Sequence, residues 1–175
     1  MAPSTDRPER LLLIGMMGAG KTTVGRLAAA ELGWPYLDSD DEVEEATGKR
    51  VPEIFATEGE PAFRAAEAEA LARALDVEPA VVSVAGGAVL DPANRTLIER
   101  GGTVVWLRAR VATLARRVGS GAGRPLLEPD PAAALRALDA ARRPLYQSLA
   151  DEVVDVDDLT PEQVAAATVR ALVHR

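Results

Sequence analysis

One stretch near the start of the chain has the residue types and spacing to hold a polyphosphate. Gly15-Met16-Met17-Gly18-Ala19-Gly20-Lys21-Thr22 fits G-x-x-x-x-G-K-[ST] in full. Glycines let the backbone curl so that successive N–H groups converge on phosphate oxygens. A helix opening at the end of the loop turns its positive end to the same anion. Lys21 offers a compact charge to the β- and γ-phosphates, and the Thr22 hydroxyl is placed to ligate Mg²⁺. The only lysines are Lys21 and Lys49; arginine carries every other positive side chain. A lysine at this one position points to a need for the smaller ammonium. The sole asparagine, Asn94, precedes Arg95, so no guanine-reading Asn-Lys-x-Asp exists.

Other residues could serve a second substrate, and each has a plain alternative. Asp38 and Asp40 stand on alternate positions, where both carboxylates can face one side of an extended chain. One could support the metal while the other meets an acceptor hydroxyl; acidic residues in this setting also cap helices. Arg64 lies three residues before Glu67, a spacing equally suited to a weak surface ion pair. Gly86-Gly87 could end a strand or let a ligand approach the backbone. Arg124-Pro125-Leu126-Leu127 and Arg142-Arg143-Pro144-Leu145-Tyr146 add further cations, the latter after a short helical run.

The elements that must position these residues alternate along the chain. Leu11–Ile14 reads as a buried strand stopping at Gly15, and Lys21–Leu32 carries apolar residues at helical spacing. Trp34–Leu37 leads into Asp38-Ser39-Asp40 as a second strand. Helices are expected from about Asp40 to Thr47 and from about Glu60 to Leu75. Ala80–Val84, Val104–Leu107 and Val153–Val156 supply three more strands. Thr160 reads as the N-cap of a last helix that starts at Pro161 and runs to about Val173. Nearly all-apolar strands alternating with helices imply an α/β fold: a parallel sheet covered on both faces. Gly119–Pro131, rich in Gly and Pro between two helical patterns, is either a plain surface connection or, as loops of that length often are, functional, for example a lid.

A chain of 175 residues suits one domain, and a 47% hydrophobic content is enough for a sizeable core. The net charge of −7 opposes approach to nucleic acid or an anionic membrane surface. An anionic substrate must be gathered by local arginines instead. There is no cysteine, and the one histidine is His174, which removes thiol nucleophiles and argues against a Ser-His-Asp triad. Met1–Arg10 lacks the apolar core of a leader, and no apolar run reaches the roughly 20 residues of a membrane span. A soluble cytoplasmic protein is expected.

Taken together and in order, GMMGAGKTT, LDSD, FATEGEPAFRAAE, SVAGGAV, RPLL and RRPLY resemble the shikimate kinase family, from about Leu11 to about Arg170. The resemblance implies transfer of the γ-phosphoryl group of ATP to the 3-hydroxyl of shikimate, with Mg²⁺, by a monomer. It implies a five-stranded parallel sheet of the nucleoside-monophosphate-kinase type, with a lid at about 119–131 and a mobile substrate-binding region at about 38–67. Gly18, Ala19, Gly20, Lys21, Thr22 and Thr23 would hold the nucleotide's phosphates, and Arg117 and Pro161 would flank adenine. Thr22 and Asp38 would serve the metal. Asp40 would hold the reacting hydroxyl and accept its proton, and Arg124 would close over the transferring phosphate. Arg64 and Arg142 would grip the shikimate carboxylate, with Gly86 and Gly87 beside the ring hydroxyls. One departure stands out: the family has three glycines after the third strand, and the first is here Ala85. If that position required φ > 0, its Cβ would add roughly 1 kcal/mol of strain or more. A kinase of another small hydroxy acid, such as gluconate, would share the phosphate loop but would not require Arg64, the glycine pair and Arg142 in this order. A non-catalytic relative should have lost Lys21, Asp40 or an acceptor-site arginine, and none is missing.

Overall fold

The computed structural model describes residues 7–173. Residues 1–6 of the polar N-terminal stretch, and His174, lie outside the described residues. Five strands form one parallel sheet: β1 (Arg10–Ile14), β2 (Tyr36–Asp38), β3 (Ala80–Ser83), β4 (Thr103–Arg108) and β5 (Glu152–Asp155). Their order is β2-β3-β1-β4-β5, so the direction of winding reverses at β1. In such sheets the ligand crevice opens beyond the carboxyl ends of the strands at that reversal. Leu11 to Ile14 are at most 1% exposed, as a strand covered on both faces requires.

The phosphate-loop motif leaves β1 and enters α1 (Lys21–Leu32). The helix α8 (Pro161–Val173) packs on α1. It opens with a reciprocal cap: Thr160 N–H donates to Gln163 Oε1 at 2.9 Å, and Gln163 N–H to Thr160 Oγ at 3.2 Å. The expected cap at Thr160 is therefore present. On the remaining elements the chain departs from its sequence pattern in three ways. β2 ends at Asp38, and α2 (Ser39–Thr47) follows at once. Asp38 and Asp40 are therefore not alternate residues of one strand; the second sits in the first turn of a helix. Two further helices, α3 (Val51–Thr57) and α5 (Pro92–Gly101), stand where the sequence pattern had placed none.

The third departure concerns Arg142. It does not follow a short helical run but lies deep inside α7 (Pro131–Leu149), with Pro144 also internal. A proline in mid-helix forfeits one backbone bond and crowds the preceding turn. The buried residues Leu135, Asp139, Arg142, Tyr146 and Leu149 recur at helical spacing on one side of α7. Tertiary packing of that stripe keeps the helix running through the proline.

The helices α2, α3 and α4 (Glu60–Ala74) gather around a small core of their own, Val43, Ile54, Phe63 and Ala70. Between α6 (Val111–Val118) and α7 lies the Gly- and Pro-rich segment, with a single 3₁₀ turn at Pro125–Leu127. Leu127 is fully buried and ties that segment to the main core. Among the described residues, no helix is long and apolar enough to cross a membrane.

Candidate active site

A cleft of about 840 Å³ opens at the carboxyl ends of the strands. It brings together every residue singled out from the sequence as a site candidate. The glycine loop forms its floor. Gly20, at φ +98, is the N-cap of α1, and no side chain caps that helix. Its first N–H groups therefore face the cleft as an anion site. Lys21 Nζ folds over the loop and donates to the carbonyls of Gly15 at 2.7 Å and Met16 at 3.0 Å. Burial lowers the Lys21 pKa to about 8, although Asp40 and Asp38 draw it upward; Arg142 and Arg124 lower it further. The loop lysine, both aspartates and both arginines thus share one electrostatic field.

Asp38 has two jobs. Its Oδ1 accepts the Asp40 N–H at 2.9 Å, capping α2. Its Oδ2 accepts from the Thr22 hydroxyl at 3.3 Å. Capping, which looked like an alternative to a role in the site, occupies only one of the two oxygens. Thr22 and Asp38 offer the hard oxygen donors that suit Mg²⁺, which uses few protein ligands beside phosphate and water. Asp40 projects into the cleft with Asp38 nearby. Desolvation inside the cleft, then the Asp38 charge, raise its pKa to about 6, against the pull of Lys21.

On the acceptor side, Arg64 comes from α4. Its Nη1 donates to both oxygens of Glu67, at 2.9 and 3.1 Å, and its Nη2 to Glu60 at 3.3 Å. This is not the surface ion pair that its spacing allows, because Glu67 is only 1% exposed. Burial pushes the Glu67 carboxyl up while Arg64 holds it down, and burial prevails. Across the cleft, Arg142 is 1% exposed, and its Nε has no hydrogen-bond partner among the described residues. A buried donor left open in this way is costly unless something enters to meet it.

The loop after β3 threads between these arginines. A Cβ on Gly87 would stand 2.8 Å from Arg64 Cζ and 2.7 Å from its Nη2, so a side chain there would push the guanidinium out of its present place. Gly86 carries its carbonyl 2.7 Å from the donating Tyr146 hydroxyl. Ala85 gives its N–H to Ser39 Oγ at 2.8 Å. No described non-glycine residue has a positive φ. The backbone strain expected for Ala85 therefore does not arise.

The glycine loop is also held by Arg117, whose Nη1 donates to the carbonyls of Gly18 at 3.1 Å and Ala19 at 3.3 Å. Thr23, Arg124 and Pro161 line the same cleft. Glu67, Ser39 and Tyr146 were not among the site candidates from the sequence. Ser39 and Tyr146 appeared there only inside LDSD and RRPLY, and Glu67 only as the i+3 partner of Arg64. Its burial depends on what packs against α4, and no local pattern reveals that.

The chain was compared with known proteins. A family model described as shikimate kinase matches residues 17–173. A shikimate kinase of Cereibacter sphaeroides is 46% identical over 94% of this chain and 83% of its own length. One from Moorella thermoacetica is 46% identical, with coverage of 94% and 95%. Among solved structures, the shikimate kinase of Acinetobacter baumannii in complex with shikimate superposes with a TM-score of 0.91. It shares 36% identity and covers 96% of this chain and 94% of that one. A gluconokinase from Sinorhizobium meliloti, at 20% identity and TM-score 0.56, shares the fold alone.

Proposed function

The chain belongs to the shikimate kinase family, and from that premise we propose that its single domain phosphorylates the 3-hydroxyl of shikimate with ATP, giving shikimate 3-phosphate and ADP. The observation that carries this reading is the open Nε of buried Arg142, in the same cleft as Arg64 and Lys21. A planar cationic fork with an unused donor fits a small carboxylate.

In the mechanism, the loop N–H groups and Lys21 hold the triphosphate, while Arg117 and Pro161 flank the adenine. Arg64 and Arg142 fix the acid's carboxylate, and Gly86 and Gly87 leave space for the ring beside their backbone. Asp40 accepts a hydrogen bond from the 3-hydroxyl, which turns a lone pair toward the γ-phosphorus. The bond from that oxygen to phosphorus forms as the bond to the β–γ bridging oxygen breaks. ADP departs with the electron pair, and the hydroxyl proton passes to Asp40. Mg²⁺, held through Thr22 with Asp38 behind it, would neutralise charge on the β- and γ-phosphates. Arg124 adds a cation as the 119–131 segment closes as a lid, and closure keeps water from the phosphoryl group. The region at about 38–67 moves with the acceptor, supported by its separate small core. Catalysis here is mainly positioning and charge neutralisation.

A cytoplasmic monomer completes this reading, with every named residue of the cleft supplied by one chain. The direct experiment mixes protein, MgATP and shikimate and follows shikimate 3-phosphate by ³¹P NMR, with gluconate as the competing acceptor. Acceptor-stimulated ADP release with shikimate and not gluconate is expected; the reverse would reassign the substrate.

A further inference from the structure

Behind Asp38 lies a hydroxyl network that the reaction as described leaves unused. The Tyr36 hydroxyl stands 3.1 Å from Asp38 Oδ2 and 2.9 Å from Ser83 Oγ. Ser83 Oγ in turn donates to the Lys21 carbonyl at 3.0 Å. Counting protons fixes the direction of each bond. The Ser83 proton is committed to Lys21 O, so Ser83 Oγ can only accept from Tyr36. The Asp38 carboxylate oxygens are acceptors in every bond they make here. The single phenolic proton is therefore offered to two acceptors, one of them the carboxylate oxygen that also meets Thr22.

The ring that carries this hydroxyl is seated by the fold. A Cβ on Gly25 of α1 would stand 2.5 Å from Tyr36 Cε2 and 3.1 Å from Ser83 Oγ. The helix thus gives up a side chain at this point so that the tyrosine can lie against it. The network joins β2 through Tyr36 and Asp38, β3 through Ser83, and the first turn of α1 through Lys21 and Thr22.

We propose that Tyr36 is a positioning residue for the metal–nucleotide complex: its hydroxyl fixes the Asp38 carboxylate against Thr22 and so sets how strongly a divalent cation adds to nucleotide binding. This rests on the kinase reading above. Partners behind a metal-supporting group typically change metal affinity or activity by about 10–100-fold when removed. Tyr36→Phe keeps the ring over Gly25 and deletes only the donor.

The test measures ADP binding by calorimetry with and without Mg²⁺, and Mn²⁺ binding to the ADP complex by the EPR signal of the free ion. For Tyr36→Phe, metal-free ADP affinity should stay within about twofold of the unsubstituted protein, while Mn²⁺ affinity of the complex falls about tenfold. The intact metal-free arm reports that the pocket is folded. Unchanged Mn²⁺ affinity would overturn the proposal. So would an equal loss of ADP affinity in both arms, which would mark Tyr36 as packing only. Failure of the kinase reading shows elsewhere, as absence of shikimate 3-phosphate from the unsubstituted protein.

Discussion

At the scale of single residues, two ionisable groups define a working range. Asp40, with its pKa raised to about 6, takes up a proton as pH falls through that value and can no longer accept one. Lys21, lowered to about 8, loses its charge as pH rises through that value. We therefore expect kcat/KM for shikimate to fall on the acid side of about pH 6. For ATP, kcat/KM should fall on the alkaline side of about pH 8, since both ratios report the free enzyme. Asp40→Asn should lower kcat by about 10²–10⁴-fold, the usual worth of a positioned base, while ADP still binds; near-normal turnover would remove Asp40 from the chemistry. Gly87→Ala drives a methyl into the Arg64 guanidinium. The displaced guanidinium should raise KM for shikimate by about tenfold, the worth of roughly one charge-assisted hydrogen bond, and leave KM for ATP within about a factor of two. Steady-state kinetics with each substrate varied would check both. Residues of the phosphate loop were readable because their chemistry is local: a turn, a charge and a helix start, all within a few positions. Glu67 and Tyr36 were not, since each acquires its role only from groups distant in sequence.

At the scale of elements, four of the five strands were legible to within a residue, because all-apolar runs bounded by turns have few other uses; β2, expected to run on to Asp40, stops at Asp38. The long α7 was not. Pro144 reads as a stop, and only the packed stripe from Leu135 to Leu149 overrides it. The segment before α7 carries its own test. Leu127, fully buried, is what anchors residues 119–130 to the body. Leu127→Ala should cost about 2 kcal/mol, the low end for such a truncation, because a loop can settle into the space. Urea unfolding would measure that loss. A loosened lid should also raise ATP hydrolysis in the absence of acceptor, and a variant that is destabilised with unaltered hydrolysis would argue against gating by this segment.

At the scale of the whole molecule, an acidic chain of net charge −7 concentrates cations where two anions must meet. Ligand binding should therefore report strongly on global stability. Shikimate at about 100 times its Kd would add about 2.7 kcal/mol. For a domain of this size that is a rise in Tm of roughly 5–10 °C, readable by differential scanning calorimetry. The unmet Nε of Arg142 carries a longer consequence. A protein selected for durability alone would fill that place with a hydrocarbon chain, because a buried donor left unpaired costs stability. Arg142→Met should accordingly melt higher than its parent and do no work. The middle of this molecule thus records a compromise, in which robustness between turnovers is surrendered for readiness when the acid arrives.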